Sequence, residues 1–253
     1  MKDFSPTNIS HMATHTHTSG SYVRKFSISR ENGQADKNGR PYFFEWLKEM
    51  PPTAEQAGRK FETRKKSNGD LSHYELFSAL SGRLTGISLE QKSIGDKPET
   101  WLVLSMTDGP EDYKIEVGQY DGRYALDIMK RLLDPAFNPN ANLRLSPYSI
   151  TDREGKQNIG LSAISGVDDK LSASKDVNPN LEGIPQASSA AFRDRVLWDF
   201  SPVADWLFSQ LEKKVLPHLS TGPTSFPTSS AAKPASNAVP VAIPESETDD
   251  LPF

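Results

Sequence analysis

Trp101-Leu102-Val103-Leu104-Ser105-Met106-Thr107, then Asp108-Gly109-Pro110-Glu111-Asp112, then Tyr113-Lys114-Ile115-Glu116-Val117-Gly118-Gln119, is the stretch on which the fold turns. The first run is rich in strand formers, the second carries turn residues, and the third alternates apolar and polar with a period of two, which together spell a β-hairpin. The spacing then changes. In Tyr124–Leu133, Leu126, Met129 and Leu133 share one helical face, and Pro135 stops the run.

Outward from the hairpin, the stretch before it, His73–Glu90, is too long for an ordinary strand and is interrupted by Gly82 and Gly86, so it reads as one long, bent and bulged strand. The stretch after the helix, Leu143–Ile150 and Asn158–Ile164 about a turn at Asp152–Lys156, reads as a second hairpin. Strand, strand, strand, helix, strand, strand is the element order of a five-stranded Greek-key OB barrel with its helix between the third and fourth strands. The expected fold is therefore mainly β, an OB-fold barrel with added N-terminal strands, flanking helices and a disordered C-terminal tail. Such barrels bind oligonucleotides on their second and third strands and in two loops, which here are Lys92–Thr100 and Asp152–Gln157.

Ahead of the barrel, residues 22–66 hold eleven Lys and Arg against six Asp and Glu, interleaved with Tyr22, Phe26, Tyr42, Phe43, Phe44, Trp46 and Phe61. Cations that attract phosphates beside flat rings that stack on bases suit a nucleic-acid groove. A strand pair with one solvated face would have the same composition, and Tyr22–Ile28 and Pro41–Leu47 do read as two strands. Behind the barrel, Ser201 as cap, Pro202 in the first turn and the stripe Val203, Trp206, Leu207, Leu211, Val215 announce a helix that packs outside the core.

The 253 residues divide into a polar leader at 1–21, a domain at 22–219 and a linker with a terminal tip at 220–253. The chain has no cysteine, which excludes disulfides, zinc knuckles and cysteine nucleophiles. His15 and His17 in the leader lack acidic neighbours, so no metal site is expected. A net charge of −4 argues against a generic polyanion binder, although an acidic tail hides the basic stretch. No apolar run has the length of a signal peptide or membrane span, so a soluble, non-secreted, cytoplasmic protein is expected.

The tail carries six of the nineteen prolines and ends Asp249-Asp250-Leu251-Pro252-Phe253. With that tip behind a flexible linker, the chain resembles bacterial and phage single-stranded-DNA-binding proteins, whose acidic C-terminal tip ends in Pro-Phe. The resemblance implies a protein that coats and protects single-stranded DNA in replication, recombination and repair. It also implies that Asp249, Asp250, Leu251, Pro252 and Phe253 recruit partners by docking into basic, apolar pockets. The chemistry agrees, since a terminal ring with its α-carboxylate and preceding acids makes a weak, fast, multi-partner contact. The chain is longer than the usual bacterial member and has the aromatic stretch and an extra Trp-containing helix, so no barrel residue is carried over. A phage-encoded version acting in host cytoplasm would show such divergence.

Candidate DNA contacts follow from alternation and charge. Burying Leu102, Leu104 and Met106 sends Trp101 to the other face, and burying Leu143 and Leu145 does the same for Arg144 and Tyr148. Arg59, Lys60, Arg64, Lys65 and Lys66 are too many to pair internally, and with Tyr42, Trp46, Phe61, Arg83, Arg153 and Lys156 they complete the set. Enzyme signatures fail: there is no phosphate loop, and Gly160-Leu161-Ser162-Ala163-Ile164 misses the nucleophile elbow at its last position. No catalysis and no cofactor are expected. The competing reading is an OB-barrel assembly or virion-associated protein without DNA binding, which leaves the Pro-Phe tip unexplained.

Overall fold

The computed structural model describes residues 23–29, 41–53, 56, 58–66, 68–94, 97–151, 153, 155, 157–192 and 195–219, of which Ile94, Phe192 and Arg195 are described in backbone only. The leader at 1–21, the linker and tip at 220–253, and Lys156 lie outside the described residues. The described residues all belong to one compact unit, Met1–Thr221.

The protein is mainly β. Among the described residues ten strands form one mixed sheet: β1 (Arg24–Ile28), β2 (Phe43–Leu47), β3 (Lys60–Lys65), β4 (Leu71–Phe77), β5 (Leu80–Ile94), β6 (Lys97–Asp108), β7 (Glu111–Gln119), β8 (Asn142–Thr151), β9 (Gln157–Ser165) and β10 (Asp169–Lys170). Their order across the sheet is β10-β9-β8-β5-β6-β7-β1-β2-β4-β3, and the sheet does not close into a barrel. Every neighbouring pair is antiparallel except β1 and β7, which run parallel. A separate two-stranded ribbon pairs β11 (Ser188–Phe192) with β12 (Arg195–Asp199).

The hairpin that decides the fold forms as its alternation dictates. Tyr113, Ile115 and Val117 of β7 are buried with Leu102, Leu104 and Met106 of β6, while Lys114 and Glu116 take the opposite face. Val103 is buried as well, beside a register shift between Leu102 and Val103. The helix α1 (Arg123–Leu132) packs against β7 and β9 and buries Tyr124, Ala125, Leu126, Ile128, Met129, Arg131 and Leu132. Its apolar arc is wide because a second helix, α2 (Ser201–Lys214), covers the side turned away from the sheet, bringing Val203, Ala204, Leu207 and Leu211 into the same core. The buried Arg131 has partners, since Nη1 donates to the Leu171 carbonyl at 2.5 Å and Nε to Asp127 at 3.1 Å.

Four expectations need correction. The long strand over His73–Glu90 is two strands, and the break falls at Ser78–Ala79 rather than at a glycine, because β4 joins β2 and β3 while β5 joins β6 and β8. The glycines serve β5 itself: a register shift lies between Leu84 and Gly86, and Gly82 has no room for a side chain. The loop expected over Lys92–Thr100 is mostly strand, since β5 runs to Ile94 and β6 starts at Lys97. Residues 60–65, part of the cationic cluster, form β3, a strand the sequence reading left out. At α2 the cap position is Phe200 rather than Ser201, and Asp199 Oδ1 accepts from the Ser201 N–H at 2.9 Å.

A Cβ built on Gly82 would stand 2.7 Å from the Thr107 carbonyl oxygen and 2.8 Å from Tyr113 Oη, whose hydroxyl donates to the Ser81 carbonyl at 2.7 Å. Gly82→Ala is expected to cost about 1–3 kcal/mol through overpacking of a site with backbone on one side. Urea unfolding measures it; an unchanged midpoint would show that β5 and β6 separate freely there.

Candidate nucleic-acid interface

Strand register assigns every sheet side chain to one of two faces. The inner face carries Phe26, Phe43, Leu84, Leu104, Met106, Tyr113 and Ile115 of the core. On the outer face, one row across the strands reads Glu62, Tyr74, Trp46, and then, one position past the Phe26–Glu45 pair, Lys25, Lys114 and Ser105. The next row reads Lys60, Leu76, Phe44, Ser27, Glu116 and Val103. At about 4.8 Å per strand step, Trp46 on β2 and the β6 strand stand roughly 14 Å apart.

Aromatic rings are linked along this face. Tyr42 and Phe44 meet edge to face with centroids 6.4 Å apart, and Phe44 and Tyr74 do so at 5.5 Å. Arg64 lies 5.0 Å over the Tyr74 ring. Trp46, next along β2, is 51% exposed. Lys25 and Lys60 are exposed on either side of the ring group. Farther along β6, Lys92 Nζ sits 4.2 Å over the Trp101 ring and pairs with Glu116 at 2.6 Å, while Trp101 Nε1 donates to Glu99 at 3.1 Å. Lys114 pairs with Glu90 at 2.8 Å, and that bond holds the Glu90 carboxyl below its ordinary value.

A second network ties the rim of the face together. Tyr42 donates to Glu62 at 3.0 Å and accepts from Arg64, whose guanidinium also donates to Glu62 at 2.7 Å. Burial pushes the Tyr42 phenol up to about 12, and the Arg64 hydrogen bonds hold the Glu62 carboxyl down. These bonds hold the Arg64 guanidinium in place over the Tyr74 ring.

The structure therefore brings Tyr42, Trp46, Lys60, Arg64 and Trp101 onto one face. Arg83, half-buried and opposite Thr107, and Arg144, exposed and opposite Ser81, fall on the same side of their strands at the β8 end. The remaining candidates are elsewhere. Arg59 turns inward, where both its Nε and Nη2 bond Glu75, and its guanidinium covers the Phe61 ring at 5.0 Å. Its pairing, with that of Arg64, corrects the expectation that the cluster cannot pair internally. Lys65 shares the Phe61 side of β3, and Lys66 begins the turn to β4. Tyr148 is half-buried with its hydroxyl by Gly160 and Asp127 of α1, where burial raises its phenol. Arg153 is exposed in the β8–β9 turn. Tyr42 is itself buried, so it supports the ring group rather than offering a stacking surface.

The contact set drawn from the sequence left out Lys25, Phe44, Tyr74, Lys92 and Lys114, although Phe44 stood among the rings of the basic stretch and Lys92 at the start of an expected binding loop. For Phe44 the signal was present, since residues 42, 44 and 46 alternate onto one side. For the others the strand partners had to be known. Among the described residues no group of three or more His, Asp or Glu is placed to hold a metal, and no helix is long and apolar enough to cross a membrane.

No family model, no curated protein and no solved structure matches the chain.

Arg59→Ala separates the inward pairing with Glu75 from the DNA contact expected of that residue. It leaves the Glu75 carboxylate, only 5% exposed, without its partner, so unfolding free energy is expected to fall by about 3 kcal/mol. Affinity for oligothymidine should stay unchanged at a temperature where the variant is folded; a binding defect with unaltered stability would place Arg59 at the nucleic acid instead.

Proposed function

We propose that this protein binds single-stranded DNA across the outer face of its sheet. The observation that carries the reading is the exposed Trp46 beside the linked rings of Phe44 and Tyr74, with Lys25, Lys60 and Arg64 around them on one surface. Rings accept the faces of unpaired bases without regard to sequence, whereas in a duplex those faces are already stacked. Many of the cations here are paired with Glu62, Glu90 and Glu116, so stacking supplies the larger part of the affinity and phosphate contacts the smaller.

Strand order supports the same reading. The central five strands run β9-β8-β5-β6-β7 with α1 between β7 and β8, the pairing of an OB barrel opened between its third and fifth strands. On that assignment β6 and β7 are the strands that hold oligonucleotides, and their outer face carries Trp101 and Lys114. The protein would coat and protect single strands during replication, recombination and repair in bacterial or host cytoplasm. Recruitment of partners would fall to Asp249–Phe253 in the tail. The reading as an assembly or virion-associated protein draws on the exposed β11–β12 ribbon, which does not account for the aromatic face.

Titration of oligothymidine and of a hairpin duplex at several salt concentrations tests the proposal. Single strands should bind more tightly, and affinity should fall as salt rises, with a slope of about 0.7 per phosphate contact. Trp46→Ala should weaken binding roughly ten-fold, from a stacking contribution of about 1–3 kcal/mol. Lys25→Ala with Lys60→Ala should flatten the salt slope by about 1.4. Equal affinity for duplex, or a neutral Trp46→Ala, would sink the reading.

The tail is tested separately by deleting Asp249–Phe253. The deletion should remove capture of a replication or repair protein from host extract and leave oligothymidine binding intact or slightly tighter, because an acidic segment competes with phosphate at low salt. Phe253→Ala should reproduce the loss of capture alone. Capture indifferent to Phe253→Ala would leave the tip as a solubility device.

A further inference from the structure

Two carboxylates stand in the middle of the outer face, where a surface made for phosphates alone would carry cations only. Glu90 of β5 bonds Lys114 at 2.8 Å, and Glu116 of β7 takes Lys92 at 2.6 Å and the Ser27 hydroxyl at 3.1 Å. Lys25 lies directly beside Lys114 across β1 and β7, so its charge bears on the same place. The Lys114 hydrogen bond, aided by the fields of Lys114, Lys25 and Lys92 against partial burial, holds the Glu90 carboxyl below its ordinary value and keeps it charged at neutral pH.

Water reaches both pairs, the Glu90 side chain being 31% exposed and that of Glu116 17%, so either carboxylate can lose its charge without leaving a dry, unpaired cation. Ion pairs open to water contribute little to stability. Their effect on a ligand is larger. A phosphate that approaches Lys92 or Lys114 comes almost as near to the carboxylate as to the ammonium, and the repulsion offsets most of the attraction. A duplex carries one charge per about 1.7 Å of its axis, against one per about 3.4 Å for a single strand, so it meets the greater repulsion. Its base faces are stacked inside, whereas a single strand brings base faces that the exposed Trp46 can accept. The penalty therefore falls on both nucleic acids and is made good for only one of them.

We infer that, on the reading of the outer face as a single-strand surface, Glu90 and Glu116 are its specificity-determining residues: they exclude duplex by repelling phosphates, and so set the preference for single strands. The rings provide affinity; the two carboxylates decide what is turned away.

Glu90→Gln with Glu116→Gln keeps the size of each side chain and an acceptor oxygen for each lysine while removing both charges. At low salt the affinity of this full chain for a hairpin duplex should rise about ten-fold, and that for oligothymidine at most about three-fold, so the preference narrows. Lys92 and Lys114, freed for phosphate, should steepen the duplex salt slope by about 1.8. Glu182→Gln with Glu212→Gln removes the same charge from two exposed positions, one after Leu181 and one on α2, and should leave the ratio unchanged. Should the double variant on the face fail to fold, Glu90→Gln alone, at the more open pair, should raise duplex affinity about three-fold and change oligothymidine affinity less. A wild-type chain that binds duplex and single strand equally overturns the proposed function and this inference with it. The inference alone is overturned by a wild-type preference that survives the substitutions on the face, by one that narrows equally in Glu182→Gln with Glu212→Gln, or by both affinities falling together with the urea midpoint, which is the mark of a merely structural pair.

Discussion

The parallel pairing of β1 with β7 is the contact on which the remaining architecture depends. The hairpin β6–β7 ends the central sheet with a row of unpaired amides and carbonyls along β7, and a buried or accessible edge of that kind demands a partner. β1 supplies it, in the register Arg24–Tyr113 to Ser27–Glu116. Phe26 then packs edge to face on both Phe77 and Tyr113, with centroids 5.2 and 5.4 Å away, while Ser27 donates to Glu116 at 3.1 Å on the other side. One short strand thus joins the aromatic N-terminal elements to the central sheet and makes their outer surfaces continuous.

Beyond the reach of the apolar core, the inner face of the added strands is held by charge. Glu45 and Glu75 are neighbours across β2 and β4, both buried, and each is met by an arginine: Arg24 at 2.5 Å for Glu45, and Arg59 for Glu75. Arg24 also reaches Glu111 at 3.4 Å and lies 5.0 Å over the Phe26 ring. Two buried carboxylates side by side repel unless both cations are present, so a strand shifted by one position would strand a charge. Stability gains little from such pairs, but the register of β1, β2, β3 and β4 is specified by them, and the rings of the outer face inherit that register.

The sequence made local structure legible wherever one period dominated. Tyr113 to Val117 alternate and form β7; Leu126, Met129 and Leu133 share a helical stripe and form α1 or its end. It failed where the deciding fact was a distant neighbour. Nothing local in Ser78-Ala79 marks a chain break, and nothing in Lys60–Lys65 distinguishes an edge strand paired to β4 from a solvated loop. The candidate face was half legible for the same reason: Trp46 and Trp101 follow from alternation, but Lys25, Tyr74 and Lys114 join them only through partners on other strands. Arg59 was misread because its carboxylate, Glu75, is sixteen positions away on the adjacent strand.

The strand that ends the sheet, β3, has a bearing on what happens when many copies crowd together. Lys60, Glu62 and Arg64 point to one side of it and Lys65 to the other, and among the described residues β4 is the one strand that pairs with it. A free strand edge of six residues is ordinarily an invitation to extend the sheet from molecule to molecule. Here an incoming copy of the same strand would have to bring lysine against arginine and shed their hydration before any backbone bond formed. This rim of charge lets crowded copies sit side by side without fusing into fibres.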